Sequence, residues 1–516
     1  MKFKNRNSDF FFSATFVLIL LSLFKFLLHF VINANGAYGF FRDEFYYIAC
    51  SNHLAWGYVD QPPLSILLLK ISRIILGDSL VAIRFLPALL GALTVFITGK
   101  IAKEMGGGIF SQATAAVCMI IGPIYLSFNN YYSMNSFDVF FWALSFYLLI
   151  KILNSGKRNL WYLLGFVLGM ALMNKVSILW FGAGLFVGLL LTKNRSLLKT
   201  KEPWIAFGIA ALIFIPHIIW QIANSFPTLE FMRNAIQDKY VLHSPVEFLH
   251  SVILTENPIT FPVWLAGLYF LLFNKKGKRY ITLAVIFLTV LAILLLNPAS
   301  KSEYLASSFP ILFAAGNIAI EKFLEKKKKF WLKPVIFFVL AAFIFIAPLA
   351  VPLLSVKSYI KYARALGEKP STTEKKKLNE LPQFFADMFG WETMTNTVAR
   401  AYNSLSPEEK ENCVIFCNNY GEAGAINFLG KQYNLAPAIS GHNNYFLWGP
   451  VRKQANIVIV IGQKKVELEN TFEEVVAADT IRTKYSMPYE TDLPIWICKK
   501  PKASLSKIWP QTKHYN

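Results

Sequence analysis

Residues 38–63 read YGFFRDEFYYIACSNHLAWGYVDQPP, and the rest of the chain is arranged around them. It lies between two strongly apolar segments, yet it carries Arg42, Asp43, Glu44, His53, Asp60 and Gln61. Charge close to a bilayer has to be solvated, paired or functional. Residues 45–56 and 64–76 both read as amphipathic or apolar helices of ~12 to 14 residues, too short to span and so expected at the membrane interface. Pro62-Pro63 forces an extended break between them. An acid pair held at the membrane surface by two flat helices suits chemistry on a lipid-borne substrate. An ordinary polar loop is the plainer alternative.

The surrounding chain supports a membrane setting. Of 516 residues, 55% are hydrophobic and 16% are charged, against about 25% charged in an ordinary soluble domain. The formal net charge of +21 could suggest nucleic-acid binding. The basic residues, however, sit in short loops between apolar spans, the signature of membrane orientation; no nucleic-acid partner is expected. The five cysteines show no metal-ligand spacing. Cys413 and Cys417 flank an apparent strand that would hold them ~13 Å apart, beyond disulfide reach.

Residues 10–32 read as a retained first span rather than a cleaved signal. Lys2, Lys4 and Arg6 before it place the N-terminus in the cytoplasm and the Asp43 loop outside. Alternating apolar segments then give about eleven spans up to residue 354, with every basic cluster on one side. The expected organisation is a transmembrane domain over 1–355, a polar linker over 356–379 and a small extracytoplasmic α/β domain over 380–516. In that last part CVIFC and IVIVIG read as buried strands, and GEAGAINFLGKQY as a helix between turns.

The stretch RDEFYYIACSNHLAWGYVDQPPL resembles the first external loop of the bacterial family 39, PMT_2-type glycosyltransferases, relatives of protein O-mannosyltransferases and lipid A aminoarabinose transferases. The resemblance implies a mainly α, polytopic GT-C fold. It also implies transfer of a sugar from a polyprenyl-phosphate donor to a lipid, glycan or protein acceptor at the outer face of the bacterial inner membrane. The loop acid, here Asp43, is the family's general base.

Such a reaction needs a base for the acceptor hydroxyl and cations for the departing phosphate. Glu44 beside Asp43 would orient the acceptor or share the site, or simply be a solvated charge at a helix N-terminus. Asp138, in SMNSFDVFFWAL, opens a span on the same side; its alternative role is an N-cap or first-turn acid. Arg84, Lys175 and Lys301 are the cations expected at the phosphate, each with snorkelling to headgroups as its alternative. Gln61, Glu303 and Tyr304 are expected to touch substrate. No cofactor is certain from the sequence; a divalent metal on Asp43 and Asp138 is conceivable, since hard cations take carboxylates, but no DxD motif is present. Gly421 to Gly424 loosely resembles a phosphate turn but lacks GxGxxG. Tyr445 and Trp448 could stack on sugars, with packing the plainer reading. Two other functions fit the same topology: a transporter or flippase of lipid-linked sugars, which should show polar residues at mid-span and internal repeats, and a non-catalytic envelope sensor.

Overall fold

The computed structural model describes residues 13–36 and 38–516. The basic residues at positions 2, 4 and 6 lie outside the described residues. Among the described residues, seven helices are long and apolar enough to cross a membrane: Ala14–Ala34, Phe85–Glu104, Met134–Ser155, Glu202–Ala223, Gly277–Leu295, Ser302–Lys326 and Leu332–Leu349. Five further apolar helices are shorter, at 10–17 residues.

The chain divides into two compact units. The first contains residues up to Asn35, with Val81–Ile219 and Leu242–Leu353. Its helices show why an apolar sequence packs specifically in lipid. Ala14–Ala34 starts at Ser13, whose hydroxyl accepts the Phe16 N–H at 3.2 Å. Ile19, Leu23, Phe24, Leu27 and Phe30 stay exposed on one face, while Lys25, His29, Ile32 and Asn33 are buried on the other at helical spacing. Helices Phe261–Phe273 and Phe309–Lys326 cross at small residues. A Cβ on Gly316 would come within 1.9 Å of the Val263 carbonyl, and one on Gly267 within 2.3 Å of that of Leu312. Without a hydrophobic drive between helices in lipid, such close backbone approach supplies the attraction.

The second unit, here called the lobe, combines Gly36–Leu80, Trp220–Val241 and Leu354–Asn516. Its sheet has the order β2-β1-β3-β5-β4, with β1 Cys413–Cys417, β2 Ala438–Ser440, β3 Ile457–Ile461, β4 Phe472–Ile481 and β5 Leu493–Pro501. β2, β1 and β3 run parallel; β5 is antiparallel to both β3 and β4. Helix Tyr420–Leu429 connects β1 to β2, as a parallel pair requires. The core holds Val414, Ile439, Val458, Val460, Cys498 and Trp509.

The expected boundary near 355 falls close to a division at Leu353, but two earlier segments also belong to the lobe. The stretch 356–379 is more than a linker: it contains helix Val356–Ala365 and the buried Glu374. The helix expected to lie flat at the interface after Arg42 is covered by protein instead. In Arg42–Asn52 the residues Glu44 to Ser51 are all buried. The cause is helix Tyr420–Leu429, which comes so near that a Cβ on Gly424 would lie 2.8–2.9 Å from Phe45. The GEAG sequence thus serves close helix contact rather than a phosphate turn. Leu64–Leu76 keeps Leu67, Ile71, Ile74 and Ile75 exposed, as an interfacial helix would.

Candidate active site

Asp43 stands in the first turn of helix Arg42–Asn52. Glu44 turns back and accepts the Phe41 N–H at 2.8 Å, closing the helix N-terminus. Glu44 is fully buried in this capping position, whereas the Asp43 side chain is 33% exposed. Asp43 Oδ1 accepts two hydrogen bonds, from Arg42 Nε at 3.2 Å and from the Tyr420 hydroxyl at 2.9 Å. No hydrogen bond reaches Asp43 Oδ2 among the described residues. One oxygen is therefore anchored and the other is open.

The anchors are themselves held. Arg42 Nη1 donates to the Tyr489 hydroxyl at 2.7 Å, and its guanidinium lies 3.7 Å from both Glu374 and Asp387. Burial pushes the Asp387 carboxyl up to about 7, against the pull of Arg42. Tyr420 is the first residue of its helix, whose N-terminus Asn419 caps by accepting the Gly421 and Glu422 N–H groups. Asn419 Nδ2 in turn donates to Glu422 and Glu490, both at 2.9 Å. Those two buried carboxyls are raised, Glu422 to about 7, chiefly by burial, and Glu490 by burial and by Glu422 beside it.

The Tyr420 ring stacks on Tyr46 at 4.6 Å. The Tyr46 hydroxyl sits 2.9 Å from both Asp60 and Asn444, whose amide oxygen also accepts the Val59 N–H. Burial raises Asp60 to about 6, with the Asp43 charge adding to the shift. On the other side of Tyr420, His442 and His514 continue the stack at 4.5 and 4.6 Å. His442 Nδ1 accepts the Tyr420 N–H at 3.4 Å and Nε2 faces the Asn516 carbonyl at 2.9 Å. That pairing selects the neutral tautomer with the proton on Nε2, consistent with burial holding His442 well below its usual range.

Gln61 is 1% exposed, and its side-chain amide has no hydrogen-bond partner among the described residues. Trp448 stacks on His53 at 4.3 Å and touches Tyr445 at 4.8 Å, so both aromatics are used in packing.

The other expected site residues lie in the membrane unit. Asp138 is one turn inside helix Met134–Ser155, which Ser133 caps, so it is not the cap. Its oxygens accept Ser177 at 3.0 Å and Ser307 at 2.8 Å. Lys175 Nζ lies 3.9 Å from Asp138, donates to Asn135 at 2.8 Å and sits 5.4 Å over the Tyr304 ring. Asp138, Lys175 and Tyr304 therefore converge. Lys301 and Glu303 are half-buried on the turn that carries Tyr304. Arg84 does not join them through the bond seen: it is 1% exposed and Nη1 donates to Asn33 at 3.2 Å. Among the described residues no group of three His, Cys, Asp or Glu side chains converges as a metal site would.

Asp60, Tyr420, Glu374, Asp387 and Tyr489 escaped the sequence reading. Asp60 lay inside the quoted stretch; the others come from sequence more than 300 residues away and carry no local motif.

Comparison with known proteins agrees with the loop resemblance. Residues 60–220 match the PMT_2 family, dolichyl-phosphate-mannose-protein mannosyltransferase. The lipid A galacturonosyltransferase RgtD of Rhizobium johnstonii is 23% identical over 304 residues, 58% of this chain and 64% of that protein. The chain thus aligns with rather less than two thirds of that relative's length. Crystal structures of ArnT from Cupriavidus metallidurans share the fold. The apo form has a TM-score of 0.62 at 13% identity, covering 94% of this chain and 98% of that one. The form bound to undecaprenyl phosphate has a TM-score of 0.59 at 14% identity, with coverage of 93% and 97%. The fold is that of a polytopic GT-C membrane protein with a small sheet-containing lobe.

Proposed function

With a PMT_2-type glycosyltransferase of GT-C fold as premise, we propose that this chain moves a sugar from a polyprenyl-phosphate donor to a glycolipid acceptor at the outer face of the inner membrane. The N-terminus is then cytoplasmic and the lobe extracytoplasmic. The observation that carries the reading is the Asp43 carboxylate, anchored through Oδ1 and open at Oδ2. A base must be held in place yet reach the proton it takes.

The acceptor hydroxyl gives its proton to Asp43 Oδ2. Its oxygen attacks the anomeric carbon from the side opposite the phosphate, the bond to the phosphate oxygen breaks, and polyprenyl phosphate leaves with inversion. The Lys175 ammonium, fixed by Asn135 and Asp138, holds the departing phosphate, and Tyr304 covers that cation. The unpartnered Gln61 amide contacts substrate. Glu44 serves the reaction by fixing the helix that presents Asp43. RgtD is named for lipid A, and a lipid A-type acceptor is the first to try.

The test is the envelope glycolipid profile of a deletion strain, read by mass spectrometry. Loss of one sugar-bearing species is expected, restored by the wild-type chain and not by Asp43→Asn. An unchanged profile on deletion would sink the proposal.

A further inference from the structure

The lobe carries a partly open cavity of about 330 Å³ that shares two walls with the Asp43 site, because Arg42 and Tyr420 line it. Asn419 and His514 also line it, and Asp238 and Lys376 are exposed residues on its lining. A larger cleft of about 500 Å³ runs along Val356–Ala365 but includes none of the groups bonded to Asp43.

Three features define what the smaller cavity can hold. Its volume lies at the lower end of the ~300–1,000 Å³ of ligand sites, which suits a compact polar head and not an isoprenoid chain. Its lining mixes both signs: Arg42, Lys239 and Lys376 stand with Asp238, Glu374 and Glu422, the last a carboxyl that burial raises to about 7. Arg42 and Lys239 are already near Glu374, at 3.7 and 3.6 Å. A phosphate group needs an excess of cations, which this lining does not offer. A ring carrying several hydroxyls needs alternating donors and acceptors, and the lining supplies both. Finally, the cavity is built at the carboxyl ends of parallel strands. Asn418 to Glu422 follow β1 and His442 follows β2, and β1 has neighbours on both sides, the switch geometry where open α/β sheets bind ligands.

We propose that this cavity receives an uncharged sugar ring of a glycan, so that the lobe selects the saccharide presented to Asp43. The inference deepens the glycosyltransferase reading and rests on it. The ring belongs either to the acceptor or to the donor sugar, and the chemistry of recognition is the same for both.

Asp238 and Lys376 are exposed, so Asp238→Ala/Lys376→Ala leaves the fold intact. The full-length protein in nanodiscs is assayed with a host polyprenyl-phosphate-sugar extract and a total envelope glycolipid extract. The double variant is expected to raise the KM of one of these about tenfold, the scale of a lost hydrogen bond, with kcat within about threefold. A rise for the glycolipid assigns the acceptor ring. A rise for the donor, with undecaprenyl phosphate affinity unchanged, assigns the donor sugar. Unchanged KM for both, or weakened binding of undecaprenyl phosphate itself, overturns the proposal. Binding is also read without turnover, in the Asp43→Asn background, by saturation-transfer NMR with the free glycans released from the two extracts. One of them is expected to bind, to be lost on adding the double change, and to withstand excess inorganic phosphate. Binding of neither, or displacement by phosphate, rejects the sugar pocket. Full activity of Asp43→Asn would instead reject the general-base reading and leave the binding result to stand by itself.

Discussion

Asp43 in the lobe and Asp138 in the membrane unit are both aspartates near the start of a helix, and both lie close to a cation. Their surroundings differ in the way that matters for proton transfer. The Asp43 side chain is 33% exposed with one oxygen committed; that of Asp138 is 5% exposed with both oxygens accepting serine hydroxyls. An acid tethered through both oxygens is fixed to orient a neighbour, whereas one tethered through a single oxygen leaves the other to reach an incoming proton. In the proposed reaction this difference gives Asp43 the chemistry and Asp138 the placing of Lys175.

The contrast can be broken most directly by rate. Asp43→Asn is expected to slow transfer by roughly 10²–10⁴-fold, the range for losing a general base. Asp138→Asn, in the same membranes, should cost far less and act mainly through donor KM. A larger kcat loss for Asp138→Asn would reverse the assignment. Next in size, Lys175→Ala should raise donor KM by roughly 10–100-fold, the worth of a hydrogen bond to a charged group. Tyr420→Phe removes one of the two anchors of Asp43 and should lower kcat up to about tenfold while leaving donor KM unchanged.

Two smaller effects concern stability. Gly424→Val forces helix Tyr420–Leu429 off Phe45 and should destabilise the lobe by about 1–3 kcal/mol, seen as a lower denaturation midpoint. Asp387 keeps its proton up to about 7 when folded, against the usual 3.8 for an aspartate. The folded protein therefore binds more protons than the unfolded chain between about pH 4 and 7, and this group's contribution to stability falls as pH rises through that window. Asp387→Asn should flatten the decline of thermal stability over that range. A wild-type-like slope would show that Asp387 does not titrate there.

The membrane part was legible in the sequence as long apolar helices because lipid imposes them. The convergence of Asp138 and Lys175 was also within reach, since both sit at ends of apolar segments. The lobe was less so. CVIFC and IVIVIG stand out as buried runs, but β4 is mostly exposed along an edge and shows no alternation to detect. Burial of the helix after Arg42 depends on Gly424, nearly 400 residues away in sequence. Glu374 looked like linker because its neighbours are lysines; its role appears only with Arg42 placed beside it. Asp60 and Tyr420 lacked a motif, since a hydrogen bond to a distant carboxylate leaves no periodic trace.

In the proposed reaction Asp43 acts as a base and not as a binder of donor. Titrating Asp43→Asn protein with undecaprenyl phosphate separates the two. Affinity within about twofold of wild type, in a protein that no longer transfers sugar, is the predicted result. A loss of affinity matching the loss of transfer would contradict it.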